Sequence, residues 1–435
     1  MVGACLALAL RGGPHRVTLL EAARPQGVAG GKGDAGGAAA DAADVAATAA
    51  AGAQAQVCAQ AQAHTHASFD DRTTALGNGA RRVLDTLGLW QAIAIRAAPI
   101  TRIHVSEAGR FGFARLDAVA QGLDAFGYSV GNRHIGAVAW EALSAADGVG
   151  GHAAAGLTVL APARVTQVRV KANGVVLTWT DAAGAARELS ARLVVAADGA
   201  QSLVKQAAGI GSESTSYEQV AVIANLRTDR PAEGIAYERF TDTGPMAMLP
   251  LFDGSYTAVW ALAPGAAAEV MQYDDAQFCV RLQQRFGWRA GRFMAAGRRA
   301  AYPLALTRAQ APAAARTVVV GNAAQMLHPV AAQGFNLGLR DAALLAELLM
   351  DAPDPGDAAL LAEFGRRRAA DRDGMVRFTD TLVKLFDDPR PGARVLRDIG
   401  LLLFDVTPPA KQALSRLSWG FGTGLPRLVR GLPLR

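Results

Sequence analysis

The feature that most constrains the fold is an apolar strand that ends in a glycine-rich turn and leads into a long helix. It covers residues 318–349, VVVGNAAQMLHPVAAQGFNLGLRDAALLAELL. The strand ends at Gly321, and a loop of small residues reaches the helix near Asn336. Small side chains and the free N–H groups of a helix N-terminus let a flat ligand approach the backbone closely. This stretch predicts a ligand-binding loop more specifically than an ordinary buried turn would.

Two other segments have a related pattern of strand, turn and helix. The chain opens MVGACLALALRGGPHRVTLLEA, in which Gly3 opens a helix of small residues and Glu21 closes a strand. Residues 192–210, RLVVAADGAQSLVKQAAGI, bring a strand to Asp198-Gly199 before a helix. Dinucleotide-binding folds need glycines where a strand meets a helix, and a carboxylate after the next strand for the ribose hydroxyls. Taken singly, each segment is also compatible with an ordinary helix–strand unit or an ordinary Asp-Gly turn.

Between these segments the chain alternates apolar and polar residues, which is typical of half-buried antiparallel sheet. Asn173-Gly174 is a two-residue turn signal, and residues 100–117 predict a hairpin. Aromatic and Met side chains of the later strands could line an apolar pocket or form ordinary sheet core: Tyr237, Phe240, Met246, Met248, Phe252 and Trp260. The order predicts an α/β fold, with a nucleotide-binding domain built from separated segments and a β-rich domain interleaved with it.

Helices are expected at several other places. Residues 69–90 predict a helix capped by Asp70 or Asp71, and residues 127–146 also have helical periodicity. The chain is mostly helical from Ala359 onward. Residues 24–67 contain no Leu, Ile or aromatic residue, so they cannot bury enough apolar area to offset the entropy of ordering. We interpret them as a low-complexity surface insertion.

Composition excludes several classes of protein. The 435 residues are 51% hydrophobic, which is ample for a large core. The three cysteines, Cys5, Cys58 and Cys279, show no metal-ligand spacing, so we expect neither a disulfide framework nor a metal site. These features favour a reducing, cytoplasmic setting.

The positive charge is concentrated at the C-terminal end. Residues 376–435 contain ten Lys or Arg and five Asp, which is +5 of the formal net charge of +6. An anionic membrane surface is one interpretation of this excess. Nucleic acid is poorly supported, because no aromatic and basic residues interleave as in a known nucleic-acid-binding module. No apolar run is long enough to span a bilayer.

Together the segments resemble the FAD-dependent aromatic hydroxylases of the p-hydroxybenzoate hydroxylase type, most closely their ubiquinone-biosynthesis branch. The resemblance rests on FDDRTTAL, GYSV, AADGAQS and GNAAQMLHP followed by QGFNLGLRD, and it covers nearly the whole chain outside 24–67. It implies a Rossmann-like FAD-binding domain whose first strand is missing, an antiparallel substrate domain and C-terminal helices. The implied boundaries are residues 1–99, 127–210 and 306–352 for the FAD-binding domain, 100–126 and 211–305 for the substrate domain, and 353–435 for the helical region.

The resemblance also implies roles for individual residues. Gly3 matches the last glycine of the dinucleotide fingerprint, Glu21 the ribose carboxylate, and Arg72 a residue at the pyrophosphate and cofactor entrance. Asn132 matches a polar flavin contact, and Asn322 a hydrogen-bond partner of the ribityl chain. The remaining cofactor-binding candidates belong to the Asp-Gly motif and to the turn and loop that would face the flavin ring: Asp198, Gly199, Gly321, Pro329, Ala332, Gln333, Gly334, Phe335 and Asn336.

The sequence departs from the family pattern at three places. Ala332 stands where glycine is usual, and Lys205 stands where arginine is expected after the Asp-Gly motif. The first strand and the first two fingerprint glycines have no counterpart before Met1. We therefore expect the natural chain to begin upstream, by roughly 15 residues or more, the length of a strand and its lead-in.

The implied activity is that of an FAD-dependent monooxygenase using NAD(P)H. Its flavin C4a-hydroperoxide would hydroxylate a polyprenylated phenol (2-polyprenyl-6-methoxyphenol). No catalytic acid or base can be assigned, since His328 before a proline is at least as compatible with a structural role. The alternatives are a flavoprotein acting on another aromatic substrate, and a non-catalytic subunit with an FAD-binding fold. The expected partners are a lipid-soluble phenol, the inner face of the cytoplasmic membrane and a ubiquinone-biosynthesis complex.

Overall fold

The computed structural model describes residues 1–24, 72–146, 156–329, 333–387, 390–407, 409, 411 and 424–434. Apart from Arg24, the predicted low-complexity insertion lies outside the described residues, as do Asp70, Asp71 and Ala332. The strands of the described chain, β1 to β20, are Val17–Leu20, Thr73–Gly77, Ala98–Ile100, Arg102–Glu107, Phe113–Asp117, Gly127–Gly131, Leu157–Leu160, Arg164–Lys171, Gly174–Thr180, Ala186–Ala191, Val194–Ala196, Ser212–Thr228, Ile235–Thr241, Gly244–Pro250, Tyr256–Leu262, Phe293–Ala296, Ala300–Ala309, Ala313–Ala314, Thr317–Val319 and Gln325–Met326. The α-helices, α1 to α10, are Val2–Leu10, Asn78–Thr86, Trp90–Ala94, Asn132–Ala146, Leu203–Ala207, Pro264–Gln272, Asp275–Phe286, Gly334–Leu349, Ala358–Asp387 and Pro391–Asp405.

The parallel strands nearest the chain's strand–turn–helix segments lie in two separate sheets. β1 pairs with β7, with Val17 opposite Leu157. β11 pairs with β19, with Val194 opposite Thr317. In the described chain β1 and β11 do not pair with each other, although residues of both line one cleft.

Helix α1 packs between the nucleotide-domain elements. Its apolar side chains are almost fully buried, with Cys5 and Leu8 in one core cluster and Leu6 and Leu10 in another. α1 also packs along α8, which carries the buried Leu339 and Ala343. A helix that is apolar on all sides is typical of an element covered from several directions. The position of α1 is therefore fixed by two cores.

The second large unit is a nine-stranded, mainly antiparallel sheet. Its order is β20-β17-β12-β15-β14-β13-β4-β5, with β16 also paired to β12. Among the described neighbouring strands of this sheet, only β13 and β4 run parallel to each other. One face packs on α6 and α7 through Met248, Trp260 and Phe278. The interleaved antiparallel region predicted from sequence is confirmed; the domain boundaries stay a prediction.

Two helix predictions are wrong at their beginnings. Thr73–Gly77 forms strand β2 and the following helix begins at Asn78, while Gly127–Gly131 forms β6 and its helix begins at Asn132. β2 and β6 pair with each other, so sheet pairing overrides the apparent helical periodicity at both places. The hairpin predicted over 100–117 is confirmed as β4 and β5.

The C-terminal region is helical, as expected. Helix α9 spans 30 residues, and α10 packs on β5. Gly112 N–H donates to Asp398 Oδ1 at 3.2 Å, and Arg397 pairs with Glu107 at 2.9 Å. None of the described helices is long and apolar enough to cross a membrane.

Candidate functional site

One cleft of about 1870 Å³ brings the predicted site residues together. It runs from the ends of the parallel strands to the large antiparallel sheet. Ligand pockets are commonly about 300–1000 Å³, so this cleft is large enough for a dinucleotide and a second molecule. The predicted residues that line it are Gly3, Glu21, Arg72, Asn132, Asp198, Gly199, Gly321, Asn322, Pro329, Gln333, Gly334 and Phe335.

Glycines allow α1 to approach its neighbours at one end of the cleft. A Cβ added to Gly3 would lie 2.9 Å from Cβ of Ala197, which follows β11. A Cβ on Gly338 of α8 would lie 2.8 Å from Cγ2 of Val2 and 3.1 Å from Cα of Gly321. Close packing of helix against strand is the role of a glycine in dinucleotide-binding turns. The geometry at Gly3 fits that role.

The acidic candidates lie where the parallel strands end. Glu21 follows β1, and its backbone N–H donates to Leu160 O at 3.0 Å. Asp198 follows β11 and is exposed to the cleft, with Gly199 at a φ of +90°. Nearby, Lys205 is buried and its Nζ donates to Ala200 O at 3.1 Å. A lysine at this position therefore holds the turn through the backbone.

A second group connects Arg72 and Asn132. The backbone N–H of Asn132 donates to Arg72 O at 2.8 Å. The Thr74 hydroxyl donates to Asn132 Oδ1 at 2.6 Å. The Arg72 guanidinium lies 4.8 Å from the ring centroid of Tyr302, a cation–π distance. These contacts hold Arg72 at the junction between the nucleotide end and the sheet end of the cleft.

A buried network supports the turn after β19. Asp341 Oδ2 accepts hydrogen bonds from Gly321 N–H at 3.3 Å and from Gln325 Nε2 at 2.9 Å. Its other oxygen accepts from Arg368 Nε at 2.6 Å. The network ties the turn to α8 and α9 and leaves Asn322 exposed to the cleft. Sequence reasoning missed it, although an aspartate within the apolar run of α8 was the available signal.

Asn336 has a different position from the one expected. It does not line the cleft; its Oδ1 accepts from Gly77 N–H and its Nδ2 donates to Ala75 O, both at 2.9 Å. The side chain therefore ties α8 to β2. Ala332 lies outside the described residues, so its expected contact is not described. Direct contact of the other candidates with a flavin stays a prediction.

The antiparallel sheet supplies an apolar wall at the other end of the cleft. Alternation along its strands sends one set of side chains to the core with α6 and α7 and the other set to the cleft. Met246, Met248 and Trp260 belong to the core cluster, so the sheet-core interpretation holds for them, whereas Tyr237 belongs to the cluster and also lines the cleft. The cleft wall is formed mainly by smaller residues, Ala221, Ile223, Ala236, Pro245, Ala247, Leu249, Val259 and Ala261.

Two ionisable side chains stand at this apolar end. Burial raises the pKa of Glu238 to about 8 and lowers the pKa of His328 to about 4, because a low-dielectric setting disfavours both charged forms. The His328 ring packs edge-on against Tyr217, at 5.0 Å between centroids. Glu238 was not predicted from the sequence. The available indication was an acidic residue at a position where alternation along the strand directs the side chain to the cleft.

The residues of the cleft fit FAD. The glycine contacts let α1 approach the nucleotide end, where Glu21 and Asp198 offer carboxylates after two strands. Gln333 lies at the N-terminus of α8, where a helix dipole favours negative charge. An apolar wall for an aromatic ring completes the cleft. In the described chain no group of His, Cys, Asp or Glu is placed to hold a metal ion.

Comparisons with known proteins agree with this assignment. Residues 48–379 match the family described as FAD binding domain. The chain is 36% identical to the ubiquinone hydroxylase UbiL of Rhodospirillum rubrum, covering 85% of this chain and 84% of the relative. It is 30% identical to 3-demethoxyubiquinol 3-hydroxylase of Escherichia coli, covering 77% and 83%.

Solved structures share the fold. The p-nitrophenol 4-monooxygenase PnpA of Pseudomonas putida superposes with a TM-score of 0.70 at 18% identity, over 96% of this chain and 95% of that one. PqsL of Pseudomonas aeruginosa, described as a probable FAD-dependent monooxygenase, gives a TM-score of 0.66 at 19% identity, over 92% and 96%. At these identities the likeness concerns the fold alone.

Proposed function

We propose that this chain, which belongs to the FAD binding domain family of flavin-dependent aromatic hydroxylases, hydroxylates a polyprenylated phenol in ubiquinone biosynthesis. The relatives named ubiquinone hydroxylase and demethoxyubiquinol hydroxylase support the pathway. The main support for the proposal is that one continuous cleft joins the nucleotide end to the apolar sheet wall. FAD and a phenol could therefore bind next to each other in this cleft.

Residues of the nucleotide end would hold FAD. Gly3 lets α1 approach closely, Glu21 would accept hydrogen bonds from the ribose, and Asp198-Gly199 and Asn322 would contact the linking chain. Pro329, Gln333, Gly334 and Phe335, which line the cleft, would lie along the flavin ring. When bound, FAD supplies the redox chemistry, taking electrons from NAD(P)H and activating dioxygen.

The sheet wall would orient the phenol. Its small side chains leave room for an aromatic ring against β12 to β15, and their apolar character excludes water from the reacting positions. The prenyl tail would extend along the remaining apolar surface of the cleft. A 2-polyprenyl-6-methoxyphenol is the candidate substrate.

Helix α10 would provide a surface for the membrane in which such a phenol resides. It exposes Leu396, Ile399 and Leu403, and the exposed Val406 follows directly after its last residue; the spacing of the three helical residues follows one face of the helix. An exposed apolar helix face is typical of proteins that bind at a membrane surface. The proposed setting is the inner face of the cytoplasmic membrane, where the enzyme could join other proteins of the same pathway.

A flavin and substrate assay tests this function. The purified protein should show the visible absorbance spectrum of bound flavin and should oxidise NAD(P)H faster with a prenylated phenol than with unprenylated phenols. Faster turnover of an unrelated aromatic compound would favour a hydroxylase of another substrate. Flavin-free protein that cannot be reconstituted with FAD would favour a non-catalytic subunit.

A further inference from the structure

Glu238 occupies an unusual position at the apolar end of the cleft. It lies in the middle of β13, and its sheet neighbours are Ala247 of β14 and Val105 of β4. Three carboxylate residues line the cleft in the described chain, and Glu21 and Asp198 belong to its nucleotide end. Glu238 is thus the carboxylate of the apolar wall.

The Glu238 carboxyl group has no structural task that would explain its burial. Its Oε1 is shielded from solvent and makes no hydrogen bond within the described residues. A buried acceptor without a partner costs about 1–3 kcal/mol. Its neighbours in sequence point to the opposite face, where Tyr237 donates to Arg289 O at 3.1 Å and Arg239 donates to Ser106 Oγ at 3.3 Å. A hydroxyl group of a ligand in the cleft would donate the hydrogen bond that Glu238 Oε1 lacks.

We propose that Glu238 is the acid–base residue that takes the proton of the phenolic hydroxyl. This inference rests on the proposed function. A carboxylate oxygen of Glu238 forms a bond to the proton as the phenolic O–H bond breaks, and the electron pair stays on the phenolic oxygen. The resulting phenolate is richer in electrons at its ortho and para carbons, where hydroxylation occurs. The proton leaves the carboxyl group to solvent after turnover.

The electrostatic surroundings of Glu238 suit this transfer. β14, Gly244–Pro250, contains no ionisable side chain. On β4, His104 contacts Arg289 on the opposite face, and Glu107 is held by Arg397. Burial is the cause of the raised pKa of Glu238. The pKa of Glu238 is about 8, and the pKa of a phenol is near 10. Because these two values are closer than those of a phenol and an ordinary glutamate, Glu238 is better matched to act as the base.

The first test is the kinetics of Glu238→Gln in the FAD-loaded enzyme. We expect kcat to fall about 100-fold, within the usual range for general acid–base catalysis, with normal flavin content. The wild-type pH profile of kcat should rise with an inflection near pH 8, and the variant should lose this inflection. Glu238→Asp should recover part of the rate. Glu213→Gln, at an exposed ion pair with Arg308 on the same sheet, should leave kcat unchanged. A kcat within about twofold of wild type for Glu238→Gln would overturn the proposal.

A second test reads the ionisation of a bound phenol without turnover. p-Nitrophenol changes its visible absorbance when it ionises, so it serves as the probe in the FAD-loaded protein without NAD(P)H. Above about pH 8, where Glu238 is itself ionised, its carboxylate disfavours a neighbouring phenolate, so in that range Glu238→Gln should bind more of the probe as phenolate than wild type does. An identical ionisation curve in both proteins would overturn the proposal. If the wild type hydroxylated no phenol, the proposed function would fail, while this measurement would still decide whether Glu238 faces the ligand.

Discussion

Asp341 of α8 and Arg368 of α9 form an ion pair of 2.6 Å in which the side chains are 4% and 5% exposed. The same aspartate receives the backbone N–H of Gly321, so the pair reaches the turn that presents Asn322 to the cleft. The long C-terminal helix is thereby coupled to the candidate flavin site. A substitution that breaks this pair in α9 should therefore lower both the stability of the protein and its affinity for the cofactor.

Removal of one partner of this buried pair should be costly. Arg368→Met leaves the Asp341 charge without its main partner, and breaking such a pair costs about 3–5 kcal/mol. Arg366→Met is the matched control, since its ion pair with Glu363 on the same helix is largely exposed and should contribute less than about 1 kcal/mol. Denaturant unfolding of both variants measures the difference. Equal losses would show that the buried pair does not support the turn.

Gly3 should be sensitive to the smallest possible substitution. Gly3→Ala places a Cβ 2.9 Å from that of Ala197, so α1 must move away from the cleft end where FAD would bind. We expect the affinity for FAD to fall, by about tenfold for each 1.4 kcal/mol of binding free energy that is lost. Equilibrium titration of the flavin-free protein with FAD measures this change. Gly265→Ala in α6 meets nothing within 4 Å and is the control. Unchanged FAD affinity in Gly3→Ala would contradict the assigned packing role.

His328 should contribute stability that is lost as the pH drops, because burial holds it in its neutral form. Its folded pKa, about 4, lies below the unfolded value of about 6.5. The stabilisation is complete above pH 6.5 and is lost as the pH falls from 6.5 to 4, by about 3 kcal/mol. His328→Gln should flatten this dependence in urea unfolding of the flavin-free protein. His104, whose pKa burial also lowers to about 4, is a second source, so the double variant should be flatter still. If the free energy of unfolding depended on pH equally in wild type and in His328→Gln, this assignment would be refuted.

The exposed face of α10 should determine membrane binding. Leu396 and Leu403 are 71% and 60% exposed, and glutamine at both positions removes apolar area that would enter the lipid interface. We expect the double variant to co-sediment less with vesicles containing anionic lipid, with unchanged flavin content. Trp288→Gln removes an equally exposed apolar side chain, 67% exposed, outside α10 and should bind as wild type. Equal binding by the double variant would exclude α10 as the docking surface.

The sequence predicted the parts of the site that depend on local patterns. Gly3, Glu21, Asp198 and Gly321 each follow or open an element whose type is readable from apolar runs and glycines. In the structure the residues that follow β1, β11 and β19 line one cleft, although these strands belong to two separate sheets. Prediction was less successful where pairing over long distances decides the structure. β2 and β6 were assigned to helices, although they pair with each other through residues as far apart in the sequence as Thr73 and Gly131.

Side-chain direction was the main element that sequence could not supply. Asn336 and Phe335 are adjacent in one motif, yet Phe335 lines the cleft and Asn336 bonds to β2. Glu238 was missed for a related reason. The two faces of β13 are distinguishable only once α6 and α7 are known to cover one of them, which leaves the other face to the cleft.

Transfer of an oxygen atom tests the central claim most directly. The FAD-loaded protein should be supplied with NAD(P)H, a prenylated methoxyphenol and isotope-labelled dioxygen, and the product examined by mass spectrometry. We expect a hydroxylated phenol that contains one labelled oxygen atom, formed only when FAD and NAD(P)H are both present. Consumption of NAD(P)H and dioxygen with no labelled phenol, across prenylated and unprenylated substrates, would contradict this claim.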